Sequence, residues 1–276
     1  MQRVHKIALD PNNIQRTYLL KSAGVARFAY NWALAEWTRQ YEAHKENPTL
    51  SKPSQTALRR QLNSIKREQY PWMMEATKCA PQEAIIDLGR AFSNFFAGRA
   101  KYPTFHKKGV RDSFRVSSGF FKVEDKAIQL PKIGWIRTRE SLRWQDARLI
   151  SVTISRTADK WFASIVCEID STTRTAVPQA KDNTIGIDVG VREYVCSDGA
   201  RHTLPQAYRV SEKKLKRAQQ SLARKQKGSN NRTKQREKVA KVHARTASIR
   251  ADWLHKLSHE IVKNNAVVVI EDLNVK

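Results

Sequence analysis

The sequence is short of acid. Its 276 residues set 26 Asp and Glu against 51 Lys and Arg, a formal net charge of +25. Charge of one sign on this scale repels itself and persists in a folded chain mainly where a polyanion neutralises it. Cysteine is scarce as well. Cys79, Cys167 and Cys196 stand far apart, which excludes a disulfide framework and leaves no Cys-x-x-Cys half-site for zinc. Long apolar runs are missing too. There is no uninterrupted apolar span and no basic amphipathic helix with large apolar residues opposite its charges, and residues 1–13 lack the apolar core of a signal peptide. A membrane partner is therefore not expected, and a reducing cytoplasm fits. Nucleic acid is the leading partner.

What is present argues for a folded, multidomain α+β protein: 40% of residues are hydrophobic and the length exceeds what one typical core needs. Residues 3–9 read as a strand. Asp10-Pro11 reads as a helix start, with the helix running towards Glu42 and carrying Phe28, Trp32 and Trp37 as core aromatics. Further helices are expected at 55–69 and from Pro81, where Ile85, Leu88, Phe92 and Phe95 step by three and four. From Phe114 the period changes to two. Ile150, Val152 and Ile154, then Trp161, Ala163, Ile165, Cys167 and Ile169, alternate with polar residues about an Ala158-Asp159 turn, so a β-hairpin is expected. With residues 127–136 and the first strand it is expected to close a small barrel, interrupted by the helical block.

Residues 171–183 look like a linker. Beyond them the expected order is a strand at 184–191, a second at 194–196 returning through Asp198-Gly199, basic helices at 211–226 and 232–263, and an apolar strand at 266–271 suited to a buried parallel position. Strand, hairpin, helical crossover and parallel strand are the opening moves of an RNase H-like fold. Asp188 and Glu271, near the ends of the first and last of these strands, then converge on one cation, as a two-metal nuclease requires of its carboxylates. Spacing alone also admits a strand-end cap and a surface turn.

The segment IGIDVGVR at 185–192, followed by Ser197-Asp198-Gly199, resembles the first RuvC motif of the TnpB (OrfB) transposon proteins, and VIEDLNVK at 269–276 resembles the second. RFAYNW at 27–32 and LPKIGW at 130–135 resemble the same family's N-terminal half. The family is related to type V CRISPR effectors. The resemblance implies a wedge β-barrel at 1–10 and 110–170, a helical recognition domain inserted at 11–109, a linker at 171–183, and a RuvC-like nuclease domain at 184–276 with its basic crossover at 209–263. It also implies a prokaryotic, nucleoid-associated protein with a transposon-derived guide RNA, double-stranded DNA as substrate, Mg²⁺ or Mn²⁺ as cofactor, and Asp188 and Glu271 as catalytic metal ligands. The family's zinc ribbon and third catalytic Asp have no counterpart in these 276 residues, so the chain is expected to bind RNA but to cleave DNA poorly.

Residues 209–250 hold 15 Lys or Arg against Glu212 and Glu237, a net +13 and about half of the whole charge. Lys213, Lys214, Lys216, Arg217, Arg224 and Lys225 are candidate phosphate contacts. A second candidate is the stretch at 99–108, where Arg99, Lys101, Lys107 and Lys108 accompany Tyr102 and Phe105; the aromatics either stack on unpaired bases or anchor the loop. His255 and His259 are one helical turn apart, but no Glu follows His255 as a metalloprotease motif requires. The functions in competition are an RNA-guided endonuclease, a binding module without cleavage, and a cut-and-paste transposase.

Overall fold

In the computed structural model, which describes residues 1–169, 183–190 and 192–271, the chain opens on strand β1, Gln2–Leu9. Ile7 and Leu9 turn inward from it. Helix α1, Asn13–Glu46, follows, but its N-cap is Asn12 rather than the expected Asp10. Asn12 Oδ1 accepts from the Gln15 amide (2.9 Å) while Gln15 Oε1 accepts from the Asn12 amide (3.0 Å), a reciprocal box that satisfies two otherwise orphan donors. Asp10 is engaged elsewhere: its amide donates to the Arg137 carbonyl and its carboxylate pairs with Arg139 at 3.1 Å.

Helix α2, Gln55–Gln69, is capped by Ser54, and a 3-10 turn at Pro71–Glu75 leads to α3, Cys79–Phe96. Leu58 and Leu62 of α2 and Ile85, Leu88 and Phe92 of α3 are buried. Trp37 stacks on Phe92 with centroids 4.3 Å apart and planes 10° from parallel. Both Trp32 and Trp37 pack on the core as expected.

The strands that follow are β2 (Ser113–Ser117), β3 (Lys122–Glu124), β4 (Ala127–Leu130), β5 (Gly134–Arg137), β6 (Arg148–Thr157) and β7 (Lys160–Glu168). The β6–β7 hairpin falls where the alternation put it, with Ala158 at φ +55° in its turn. Closure into a barrel does not occur among the described residues. Instead, β1-β7-β6-β2 form an open four-stranded sheet and β3-β4-β5 a separate meander, joined by one bridge, Leu9 to Thr138. The meander strands are three and four residues long, too short to pair along a full neighbouring edge. Helices α1 to α3 lie in sequence between β1 and β2, yet sheets and helices share one buried cluster within the unit Met1–Asp170.

The second unit, Ser171–Lys276, contains β8 (Thr184–Val189), β9 (Glu193–Cys196), β10 (Arg201–Thr203), α4 (Ala207–Ala223), α5 (Asn230–Asn264) and β11 (Val267–Ile270). Strand order is β10-β9-β8-β11, antiparallel except for β11, which runs parallel to β8. This is consistent with the RNase H-like arrangement. The linker expected at 171–183 lies outside the described residues except for Asn183. The burial expected of the last strand is not found: Val267, Val268, Val269 and Ile270 are 51, 37, 54 and 64% exposed. The run is parallel but sits at the sheet edge, and α5 inserts Leu257 and Ile261 against Ile185, Ile187 and Cys196 of the inner strands.

One close approach fixes a residue identity here. A Cβ on Gly190 would meet the Glu193 carbonyl oxygen at 2.5 Å, whereas on Gly186 it would meet Ser197 Cβ at 3.6 Å, an ordinary contact. Gly190→Ala is therefore expected to destabilise this unit by about 1–3 kcal/mol, the usual cost of forced overpacking, and Gly186→Ala by less than half of that. Thermal unfolding followed by circular dichroism checks the difference; equal melting temperatures for the two variants would contradict it.

Candidate functional site

Alternation along β8 buries Ile185 and Ile187 and leaves Gly186 and Asp188 on the opposite, open face. The open face is braced from β9's end: the Gly186 amide donates to Ser197 Oγ (3.0 Å) and the Ser197 amide to the Gly186 carbonyl (2.9 Å). On the other side β11 pairs in parallel register, Val267 with Thr184, Val268 with Ile185, Val269 with Gly186 and Ile270 with Ile187. Glu271 follows directly, so the same register continued by one residue sets it beside Asp188, on strands about 4.8 Å apart. Both residues are exposed. The structure thus pairs the strands that lead to the two carboxylates, and the face of β8 that bears Asp188 is the one opposite the Ile185 and Ile187 side chains that α5 covers.

Two hard-oxygen ligands side by side suit Mg²⁺ or Mn²⁺. Among the described residues no group of three or more His, Cys, Asp and Glu is arranged to hold a metal. Asp198, in the turn that follows β9, spends its Oδ1 on the Ala200 amide (2.9 Å) and so shapes the β9–β10 turn. His255 and His259 are both exposed on α5.

The positive charge has a distinct location. Helix α4 lies against the first half of α5: Gln235 Nε2 donates to the Ala218 carbonyl (3.0 Å), and Arg232 Nη1 to those of Leu222 (2.9 Å) and Lys225 (2.8 Å). Among the described residues, the far end of α5 packs on the hydrophobic face of the sheet through Trp253, Leu257 and Ile261, with Trp253 edge-on to Tyr194 at 5.6 Å. Residues 230–252 of α5, about 34 Å at 1.5 Å per residue, therefore form with α4 a helical arm beyond the sheet. Lys213, Lys214, Lys216, Arg217, Arg224 and Lys225 are all exposed on it. Arg232 is different, because its guanidinium caps the end of α4.

Two family models match the chain, a "Probable transposase" model of OrfB proteins over residues 164–276 and a "Helix-turn-helix domain" model of the same proteins over residues 1–46. A protein of Streptomyces pristinaespiralis, named as a candidate RNA-guided DNA endonuclease, is 35% identical over 286 residues, covering 100% of this chain and 68% of its own length. The chain belongs to the TnpB/OrfB family. InsQ of Escherichia coli K12, with the same designation, is also 35% identical and is covered over 66% of its length, so this TnpB/OrfB chain spans about two thirds of such relatives. A CRISPR-Cas12f ternary complex aligns with 92% of the chain and 62% of its own at 12% identity and a TM-score of 0.37, too loose a likeness to argue from. No described helix is long and apolar enough to cross a membrane. Despite the label of the second model, residues 1–46 form one strand and one unbroken helix.

The TnpB/OrfB chain's loop at 99–108 divides its aromatics between the two roles left open by sequence. Tyr102 anchors, edge-on to Phe92 (5.5 Å) and Phe95 (5.2 Å) with its hydroxyl 3.1 Å from that of Thr38. His106 anchors too, stacked on Tyr30 at 3.8 Å while Asn31 pairs with its backbone through two hydrogen bonds. Burial pushes the His106 imidazole below its ordinary pKa, and Arg111 and Arg27 add to the effect. Phe105 remains 58% exposed between the exposed Lys101 and Lys107–Lys108, with Arg99 also exposed. The sequence did not single out Ser197 as a brace, Asn31 as an anchor or Arg232 as a clamp. Ser197 carried a signal in the Ser-Asp-Gly segment and Asn31 in RFAYNW, whereas Arg232 carried none.

Proposed function

We propose that this chain forms the guide-binding and catalytic body of an RNA-guided DNA endonuclease, which grips a transposon-derived guide RNA and cuts double-stranded DNA selected by base pairing. The observation that supports the reading is the parallel register of β8 and β11 as far as Ile270 beside Ile187, which, continued by one residue, would set Glu271 next to Asp188 on the open sheet face. Asp188 and Glu271 would hold the divalent cation, and Gly186, without a side chain, keeps the adjacent surface low enough for a phosphate backbone to approach. When bound, such a cation supplies charge neutralisation at the scissile phosphate and lowers the pKa of the attacking water. The α4–α5 arm and the loop at 99–108 contribute exposed cations for backbone phosphates. The designations of the relatives point the same way.

The test is to express the chain together with its flanking DNA, sequence the RNA that co-purifies, and challenge the complex with a plasmid carrying the complementary target. A discrete RNA and nicking that EDTA stops and Mg²⁺ restores are expected. Absence of bound RNA, or cutting indifferent to EDTA, would overturn the proposal. Target binding without cutting would support the second reading, a guided binding protein, which is favoured by one observation: no third acid joins the pair among the described residues.

A further inference from the structure

A separate cavity of about 310 Å³ lies in the first unit, far in sequence from the acidic pair. Three segments build it: the end of α2 with the 3-10 turn and the start of α3, the turn before β3, and the β4–β5 turn. Its wall is largely apolar, made by Met73, Met74, Ala76, Pro81, Phe120 and Pro131. Two of the chain's three methionines are here, and their polarizable thioethers adapt to flat aromatic surfaces. Phe120 and Met74 are 42% and 44% exposed, an unusual outlay of large apolar groups around one opening.

Apart from Thr77, the polar part of the lining is cationic. Lys66, Lys78 and Lys132 contribute to it, and no carboxylate does. Their ammonium groups are held without a counter-ion in the contacts found: Lys66 donates to Asn63 Oδ1 (2.6 Å), Lys78 lies 4.5 Å from the Phe120 ring centroid, and Lys132 donates to the Met74 carbonyl. Burial lowers the pKa of the half-buried Lys66, a cost that an entering anion would relieve. Lys132 stands at φ +68° in the β4–β5 turn, and its contact with Met74 ties that turn to the 3-10 segment. The opening is thus held from both sides.

We propose that this cavity receives one unpaired nucleotide, its base against Phe120, Met74 and Pro81 and its phosphates on Lys66, Lys78 and Lys132. An apolar slot of this volume holds a single small ligand, and an aromatic ring joined to negative charge is the chemistry that satisfies both halves of the lining. A neutral apolar ligand would leave three cations uncompensated at the mouth, and a free inorganic anion would leave the apolar wall wet. The inference rests on the nucleic-acid function above, since an oligonucleotide supplies such a residue in RNA or in displaced DNA.

Single-stranded probes of about twelve nucleotides, within the usual footprint of such sites, carry 4-thiouracil in RNA or 4-thiothymine in DNA. Each is bound to the whole chain, irradiated with long-wavelength ultraviolet light, and the cross-linked peptides are sequenced. Adducts on the peptides bearing Met73, Met74 or Phe120 are expected, and the arm with the higher yield identifies the source strand. Phe120→Ala should reduce those adducts at least about fivefold, the loss of one base stack, while adducts on residues 207–264 persist. Lys78→Gln, a change at an exposed side chain, should lower the log-log salt slope of probe binding by about 0.7 to 0.9. Probes that bind but cross-link only elsewhere, or adducts unchanged by both variants, would overturn the cavity assignment alone. Probes that do not bind at all would overturn the nucleic-acid function with it.

Discussion

Replacing Asp188 by Asn should lower target cleavage by at least about 10² to 10³, the scale on which losing one preorganised catalytic contact is felt. The substitution keeps shape and strand propensity nearly constant and removes the charge that a divalent cation needs. Because Asp188 is exposed and β8 packs through Ile185 and Ile187, stability and guide-RNA affinity should stay within about twofold of the parent, as is usual for surface positions. Glu271→Gln should behave alike. The informative variant is the double one: two carboxylates that act on a single cation lose their function together, so Asp188→Asn with Glu271→Gln should be scarcely slower than either alone. Independent roles would multiply the two losses. Single-turnover cleavage of a supercoiled target plasmid at saturating guide RNA and Mg²⁺ measures all three. A single variant keeping more than about a tenth of the parental rate would remove these residues from the chemistry.

The parallel pairing of the two strands that carry these residues was legible because strands have a short period and few ways to connect. Ile185 and Ile187 alternate with Gly186 and Asp188, which gives the face, and a helical crossover leading to a second apolar strand gives parallel pairing. The burial of that second strand was not legible. Val267 to Ile270 reads as an interior run, but whether a strand is interior depends on what lies beyond it, and nothing local to four apolar residues encodes that. The barrel failed for a related reason. Periodicity identified β6 and β7 and, in outline, β4 and β5, yet closure depends on strand length and partner choice along the whole edge, and β3 to β5 are too short. Among the basic residues, sequence saw charge but not occupation. Arg232 resembles its neighbours in composition, and only its two carbonyl partners reveal it as part of the scaffold. Tyr102 was likewise equal to Phe105 on paper, and its contacts with Phe92, Phe95 and Thr38 separate them.

That distinction sets the second large effect. Lys213, Lys214, Lys216 and Arg217 lie together on α4, exposed and without an ion pair among the described residues, on an arm whose hydrophobic packing against the sheet lies at its base. Changing all four to Gln removes four counterion-releasing contacts, so the log-log salt slope of RNA binding should fall by about 3, at roughly 0.7 for each single-strand phosphate contact. At low salt this corresponds to an affinity loss on the order of a hundredfold, shrinking as salt rises, because screening already weakens these contacts in the parent. The cleavage rate at saturating guide should change little, since all four belong to α4 and not to the sheet that bears Asp188. Arg232→Gln provides the contrast: it releases the carbonyls of Leu222 and Lys225 at the end of α4, and should lower the stability of the arm by about 1–3 kcal/mol while shifting the slope by less than one contact. Fluorescence polarisation of labelled guide RNA across a salt series, beside thermal unfolding, separates the two. A quadruple variant with the parental slope would remove α4 from the interface, and an Arg232 variant with a lowered slope and unchanged melting would mean that its guanidinium faces phosphate rather than backbone.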